Sequence, residues 1–213
     1  MKASTHKRGV YKPDKPSIAF QGERGAFSED AAIELLGPAL ISWIKLKPCP
    51  TFAALFRSID EGDADYILLP VENSLIGLVQ PASDLLQSSS LVVVGEVTIP
   101  IRHHLIGCAA AVLEEIETVE SHPAALAQCQ RFLAAQPQLK PIETDDTAGS
   151  VAQIIKSGNR KRAAIAGRRA AELYRGTIIR SNIEDHPDNQ TRFLLLARDC
   201  KSIRSGSTNT ART

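Results

Sequence analysis

HPDNQTRFLLLARD, residues 186–199, holds an apolar run from Phe193 to Ala197 that reads as a buried strand, yet the run is entered through Asp188-Asn189-Gln190-Thr191-Arg192. A strand bound for the interior that begins with amides, a hydroxyl and a guanidinium either follows a polar loop or carries a site. Its place in the chain bears on the choice. Residues 181–190, with their Asp, Asn and Pro content, are loop-like, and residues 95–101 form an extended stretch with Pro inside it. A chain that leaves one lobe near residue 98 and returns near 188 makes two lobes joined by a double crossover. The quoted strand is then the returning one, at the mouth of the cleft where small ligands bind.

Outward from that strand, short apolar runs alternate with helical periodicity, which predicts an α/β architecture. Ser17–Phe20, Tyr66–Leu69 and Leu91–Val94 read as strands, the last two as buried ones. Ser28 is placed to cap a helix with Glu29 and Asp30 in its first turn, stopped by Gly37-Pro38. Thr51 caps a second helix that buries Phe52, Leu55, Phe56 and Ile59, with Gly62 ending it. In the second half, Ser121-His122-Pro123 starts a helix with Leu126, Cys129 and Phe132 or Leu133 on one side. Asp145-Asp146-Thr147 opens another, closed by Gly158, and the strand Ala163–Ala166 feeds a helix through Tyr174. The division expected is lobe 1 over 17–97 plus 188–199 and lobe 2 over 98–187. The tails, 1–16 and 200–213, are read as disordered.

With 43% hydrophobic and 23% charged residues, the 213-residue chain has the composition of a globular protein. No apolar run reaches the roughly 20 residues of a membrane span, and the first residues hold no signal-peptide core. The four cysteines, Cys49, Cys108, Cys129 and Cys200, lie far apart, which predicts reduced thiols in a cytoplasmic setting and no zinc site. The net charge of +1 divides into +4 over residues 1–16, +3 over 201–213 and −6 between them. An acidic body repels a phosphate backbone, so no nucleic-acid partner and no membrane is expected.

Four more stretches are polar where an apolar run stops. Residues 20–32, FQGERGAFSEDAA, make a strand, a turn with Gly22 and Gly25, and a helix start at Ser28. They match neither dinucleotide nor P-loop spacing, and read as an anion site at free helix amides or as an ordinary turn. Residues 68–77, LLPVENSLIG, put Glu72, Asn73 and Ser74 at the C-terminal end of a strand, where α/β proteins bind ligands. His122 and Gln128 flank the third stretch, and His122 reads as a cap or a catalyst. Thr147 opens the fourth. The His103-His104 pair lacks the partner spacing of a metal site, so neither a metal nor a cofactor is expected. On the residues alone, the chain is a two-lobed α/β protein that binds a small polar molecule.

Taken in order, the stretches Gly22–Glu29, Pro70–Gly77, Ser121–Cys129, Asp146–Ala148 and Asn189–Phe193 resemble the prephenate and arogenate dehydratases of phenylalanine biosynthesis. The family pattern is Gly-x-x-Gly-[Ala/Thr]-[Phe/Tyr]-Ser-Glu, Pro-[Ile/Val]-Glu-Asn-Ser-x-x-Gly, Ser-His-Pro-x-Ala-Leu-Ala-Gln-Cys, Asp-Thr-Ala and Asn-x-Thr-Arg-Phe. The resemblance implies a two-lobed α/β unit like the type 2 periplasmic binding proteins. It implies the loss of water and carbon dioxide from prephenate to give phenylpyruvate, or from arogenate to give phenylalanine, with prephenate placed first. A non-catalytic binding module on the same fold is the remaining alternative.

The resemblance assigns catalysis to Thr191, and Glu72 is the neighbour expected to supply a proton if burial raises its pKa. Ser28, Asn73, Ser74, His122, Gln128 and Thr147 are the candidates for holding the two carboxylates. Arg192 is expected either to bind substrate or to brace the loop, and Phe193 completes the candidate set. Leu75-Ile76-Gly77-Leu78 departs from the acidic, glycine and small hydroxyl residues of many relatives. No regulatory ACT domain is expected in this chain, so phenylalanine should not act by that route. Family members associate, so a homo-oligomer is expected.

Overall fold

The computed structural model describes residues 15–199. The tails expected to be disordered lie outside that range, apart from Lys15 and Pro16, as does Cys200. In chain order the elements are β1 (Ser17–Gln21), α1 (Phe27–Ile41), β2 (Lys45–Cys49), α2 (Phe52–Asp60), β3 (Tyr66–Asn73), β4 (Gly77–Leu78), α3 (Gln80–Ser88) and β5 (Leu91–Pro100). Next come β6 (His104–Gly107), β7 (Thr118–Ser121), α4 (Pro123–Ala127), α5 (Gln130–Ala134), β8 (Lys140–Glu143), α6 (Thr147–Ser157), β9 (Arg162–Ala166), α7 (Arg168–Tyr174), β10 (Thr177–Arg180) and β11 (Gln190–Arg198). The architecture is mixed α/β with two sheets. One has the order β2-β1-β3-β11-β5 with β4 beside β3, and the other β10-β6-β9-β7-β8. The chain passes between them twice, from β5 to β6 and from β10 to β11.

The apolar run of β11 is buried because the strand lies between β3 and β5, with side chains packed on both faces of the sheet. Phe193 and Leu195 join Ile18, Phe20 and Leu68 beneath Ala31 and Ala32 of α1. Leu194 and Leu196 join Ile67, Leu69 and Val71 on the other face, beneath Leu55, Phe56 and Ile59 of α2. Two covered faces require a continuous apolar run in place of alternation. The second sheet is covered in the same way, by Leu126 and Cys129 on one face and by α6 and α7 on the other.

β3 carries the irregularity that matters for the site. Its pairing with β11 slips by one residue, so that Arg192 stands opposite Glu72 and Phe193 opposite Pro70. Val71 is the extra residue. The bulge reverses the facing of Glu72 and Asn73, as an inserted residue must in a period-two strand. Asn73 thereby comes to pair with Thr191, and Glu72 with Arg192.

Several expectations need correction. α1 starts at Phe27 with Ala26 as its uncapped N-terminal residue, so Ser28 is a first-turn residue and no cap. That helix breaks at Gly37 (φ 72°), but Pro38 opens one further turn to Ile41. Leu91–Val94 is a strand without being buried: Val93 is 55% exposed, because β5 is a sheet edge paired only with β11. The periodic stretch after His122 divides into α4 and α5 at Gln128-Cys129. Thr51 and Asp146 do cap α2 and α6, accepting from the amides of Ala54 and Gly149. Cys49, Cys108 and Cys129 are buried free thiols. Among the described residues no helix is long and apolar enough to cross a membrane, and no cluster of three or more His, Cys, Asp or Glu could hold a metal.

Candidate functional site

The sequence candidates fall into three groups, and the first is a chain of buried amides. Asn73 Oδ1 accepts from the backbone amides of Leu75 (3.0 Å) and Ile76 (3.3 Å). Backbone donors cannot reverse, so the Asn73 side-chain amide must be turned with Nδ2 the other way. Nδ2 then shares its two protons among Asn189 Oδ1 (2.7 Å), the Gln190 carbonyl (3.1 Å) and Thr191 Oγ (2.9 Å). With its oxygen engaged, Asn189 donates through Nδ2 to Gln128 Oε1 (2.9 Å), leaving that oxygen to accept from His103 Nε2 as well (2.9 Å). Two backbone N–H groups thus set every amide in the chain and fix His103 as its Nε2–H tautomer.

One consequence concerns Thr191. Its hydroxyl oxygen accepts from Asn73, and among the described residues nothing accepts its proton. Thr191 is therefore presented as a hydrogen-bond donor. It is 8% exposed, Asn73 6% and Asn189 fully buried, so the polar start of β11 is held away from bulk water. Low dielectric makes such hydrogen bonds strong and their loss costly.

The second group lines a cavity of about 190 Å³ built from both halves of the chain: Gly22 and Ser28 on one side, His122, Asp145, Asp146 and Thr147 on the other. Thr191 and Asn73 are not among its lining residues. The two groups are adjacent, because Phe27 lines the cavity and meets the His103 ring edge-on at 5.5 Å. Short α4 also links them, with His122 at its start and Gln128 at its end. His122 accepts from the Ala124 amide through Nδ1, the capping alternative read from sequence. The turn entering α1 is shaped by Gly25, whose φ is 86° and whose Cβ would lie 2.9 Å from the Ala170 Cα. Only glycine allows that backbone to lie against α7.

The third group departs from the cleft. Glu72 is half exposed and pairs with Arg192 (3.0 Å), which also reaches Glu96 (3.5 Å), on the opposite side of the sheet from Thr191 and Asn73. The expectation of Glu72 as a buried neighbour of Thr191 is thus corrected, the bulge at Val71 being the reason. Through these two ion pairs Arg192 ties β11 to β3 and β5. Phe193, a substrate-binding candidate, is 2% exposed within the core. Ser74 is exposed and clamps the start of β11, its hydroxyl accepting from the Gln190 amide (3.0 Å) and donating to the Asp188 carbonyl (3.3 Å).

The sequence singles out neither Asn189, which falls in the loop-like stretch 181–190, nor His103, whose pair with His104 lacks metal-site spacing. Both belong to the amide chain, and the signal for Asn189 was an amide placed next to a run bound for the core. Glu29, read as a helix-dipole partner, is fully buried and takes hydrogen bonds from Arg24 (2.8 Å), the Gly25 amide (2.8 Å) and Arg169 (3.3 Å). Burial pushes its carboxyl up, but those donors outweigh it and hold the pKa below the ordinary value. Burial also pushes the His103 pKa down, which keeps its ring neutral.

Asp30, one residue on, behaves in the opposite way. Burial, with Glu29 and Glu172 nearby and Arg169 only partly offsetting them, raises its pKa to about 7. A carboxyl raised in the fold contributes stability below its unfolded pKa, and that stability is lost as pH rises through about 7. Asp30→Asn, which mimics the protonated group, is therefore expected to melt higher than the wild type at pH 8, the gap closing near pH 4. Equal melting temperatures at pH 8 would contradict this.

The family model described as prephenate dehydratase matches residues 18–201. Arogenate dehydratase/prephenate dehydratase 2, chloroplastic, of Arabidopsis thaliana is 39% identical over 182 residues, covering 85% of this chain and 46% of that protein. The chain thus spans about half the length of the curated relatives it matches. Among solved structures, a prephenate dehydratase from Arthrobacter aurescens in complex with L-Phe superposes with a TM-score of 0.77 at 25% identity, covering 92% of this chain and 63% of that one. A protein described as a novel type of quorum quenching acylase gives 0.74 at 34% identity, over 85% of this chain and 64% of that one.

Proposed function

We propose, from the premise that this chain belongs to the prephenate dehydratase family, that it catalyses the decarboxylating dehydration of prephenate or of its amine, arogenate. The observation that carries the reading is the Thr191 hydroxyl, held as a donor by Asn73. In the reaction the bond to the ring carboxylate breaks and carbon dioxide leaves. Its electron pair enters the ring, the bond to the ring hydroxyl breaks, and the hydroxyl departs as water with one proton from solvent. Aromatisation drives the step, so the protein has to orient the substrate and stabilise the departing oxygen. A hydroxyl donor with its oxygen already engaged suits that task. Asn73, Asn189, Gln128 and His103 are the positioning residues, and Ser28, His122 and Thr147 bind the substrate from the cavity.

The two sheets are taken as the two lobes, the first running through Pro100 at the end of β5 and resuming near 188. A cytoplasmic location and a homo-oligomer remain part of the proposal. An acylase reading finds no support in the site, where His103, His104 and His122 pair with Gln128 and with the amides of Asn182 and Ala124 and, among the described residues, with no nucleophile.

Aromatic product should appear when the purified protein meets prephenate or arogenate; silence on both would end the proposal. Glu72→Gln is expected to keep turnover within about threefold of wild type, since exposed ion pairs are worth only ~0.2–1 kcal/mol. A drop beyond about tenfold in steady-state rate would return Glu72 to the chemistry.

A further inference from the structure

The cavity between Gly22, Ser28 and Thr147 offers something the elimination does not need: donors for an anion and acceptors for a cation, side by side. α1 and α6, of fifteen and eleven residues, both begin at its wall, which brings two positive dipole ends and free first-turn amides to it. Ser28 there is more than nine-tenths buried, and among the described residues its hydroxyl has no partner. Thr147 lies across the cavity, its hydroxyl likewise without a partner among those residues.

The acceptors are two aspartates. Asp146 gives one carboxylate oxygen to the Gly149 amide (2.5 Å) and holds the other 3.4 Å from the place a Cβ on Gly22 would occupy. Asp145 makes no hydrogen bond or ion pair among the described residues, and it lines this cavity and two hollows that share its wall. Glu143 lines both hollows and Glu23 one of them, while no Lys or Arg lines any of the three.

We infer that this cavity reads an α-ammonium-carboxylate group: Ser28, Thr147 and the amides of two helix starts hold the carboxylate, Asp145 takes the ammonium, and arogenate is preferred to prephenate. The inference rests on the proposed elimination and names the substrate for it. At the carbon where the two substrates differ, arogenate presents three N–H donors and prephenate a carbonyl oxygen. Beside an unpaired carboxylate the first makes a charge-assisted hydrogen bond and the second is repelled. The mouth acts in the same direction, since a dianion approaching Glu23, Glu143 and Asp145 is disfavoured more than a monoanion.

The test compares kcat/KM for arogenate and prephenate in wild type and Asp145→Asn. Calorimetric binding of L-phenylalanine and phenylpyruvate serves as a non-reacting measure of the same two side chains. Asp146 is left alone because it caps α6. The wild type is expected to favour the amino compound in both assays by about tenfold or more, and Asp145→Asn to erase most of that preference, the size of one charge-assisted hydrogen bond. A wild type that favours prephenate, or a variant that loses both substrates equally, overturns the inference. Protein inert toward both substrates, yet preferring phenylalanine in a manner that Asp145→Asn abolishes, supports this reading of the cavity and sinks the proposed reaction.

Discussion

Thr191→Val is expected to lower kcat by about 10²–10³, the range of a lost hydrogen-bond donor to the oxygen on which charge develops, with KM nearly unchanged. Valine keeps the β-branched shape that β11 accommodates and removes only the hydroxyl. The fold should survive, because Asn73 Nδ2 retains Asn189 Oδ1 and the Gln190 carbonyl as acceptors. The melting temperature should therefore move by little, one of three hydrogen bonds being worth about 1 kcal/mol. Thr191→Ser restores the hydroxyl and should recover rate to within about tenfold of wild type. Rates for Thr191→Val within a few fold of wild type would remove Thr191 from the chemistry.

Asn73→Asp carries the larger penalty in stability. The oxygen facing Leu75 and Ile76 is welcome, but the second oxygen replaces a donor that points at Asn189 Oδ1, the Gln190 carbonyl and Thr191 Oγ. Two of those three groups can only accept. A buried carboxylate facing acceptors costs about 3–5 kcal/mol, on the order of 6–20 °C in Tm for a chain of this size. The remaining contact turns Thr191 round, since its hydroxyl would donate to the new carboxylate and be lost to the substrate. Turnover should thus fall as far as in Thr191→Val. Protonation of the new carboxyl restores a donor, so its pKa is raised in the fold, and the deficit in Tm should narrow as pH falls. Thermal melts of wild type and variant across pH 4–8 check this; a deficit that widens toward pH 4 would contradict the assigned amide direction.

The parts of this protein that could be read from the chain are those that depend on local chemistry. Thr51, Asp146 and Gly158 mark helix ends because capping needs only neighbouring amides. The two passages between sheets could be read too, since the extended stretch of 95–101 and the loop-like stretch of 181–190 had to lead somewhere. What escaped depends on contacts far apart in sequence. The bulge at Val71 exists only through pairing with β11, so Glu72 and Asn73 exchanged faces relative to a regular strand, and the wrong one was joined to Thr191. Asn189 and His103 meet at Gln128, residues separated by 61 and 25 positions from it. Glu29 looked like a dipole partner because Arg169, 140 residues away, could not be seen beside it. The edge position of β5, which exposes Val92–Val94, is likewise a property of the sheet and not of the strand.

The central claim is that Thr191 acts in an elimination that expels carbon dioxide and water together. Substrate labelled with ¹³C in the ring carboxylate tests it most directly. The wild type should release labelled carbon dioxide in equal amount with the aromatic product, and Thr191→Val should release neither at a comparable rate. Folded wild-type protein that binds the labelled substrate without releasing the label, or a Thr191→Val variant that releases it as fast as the wild type, would contradict the account.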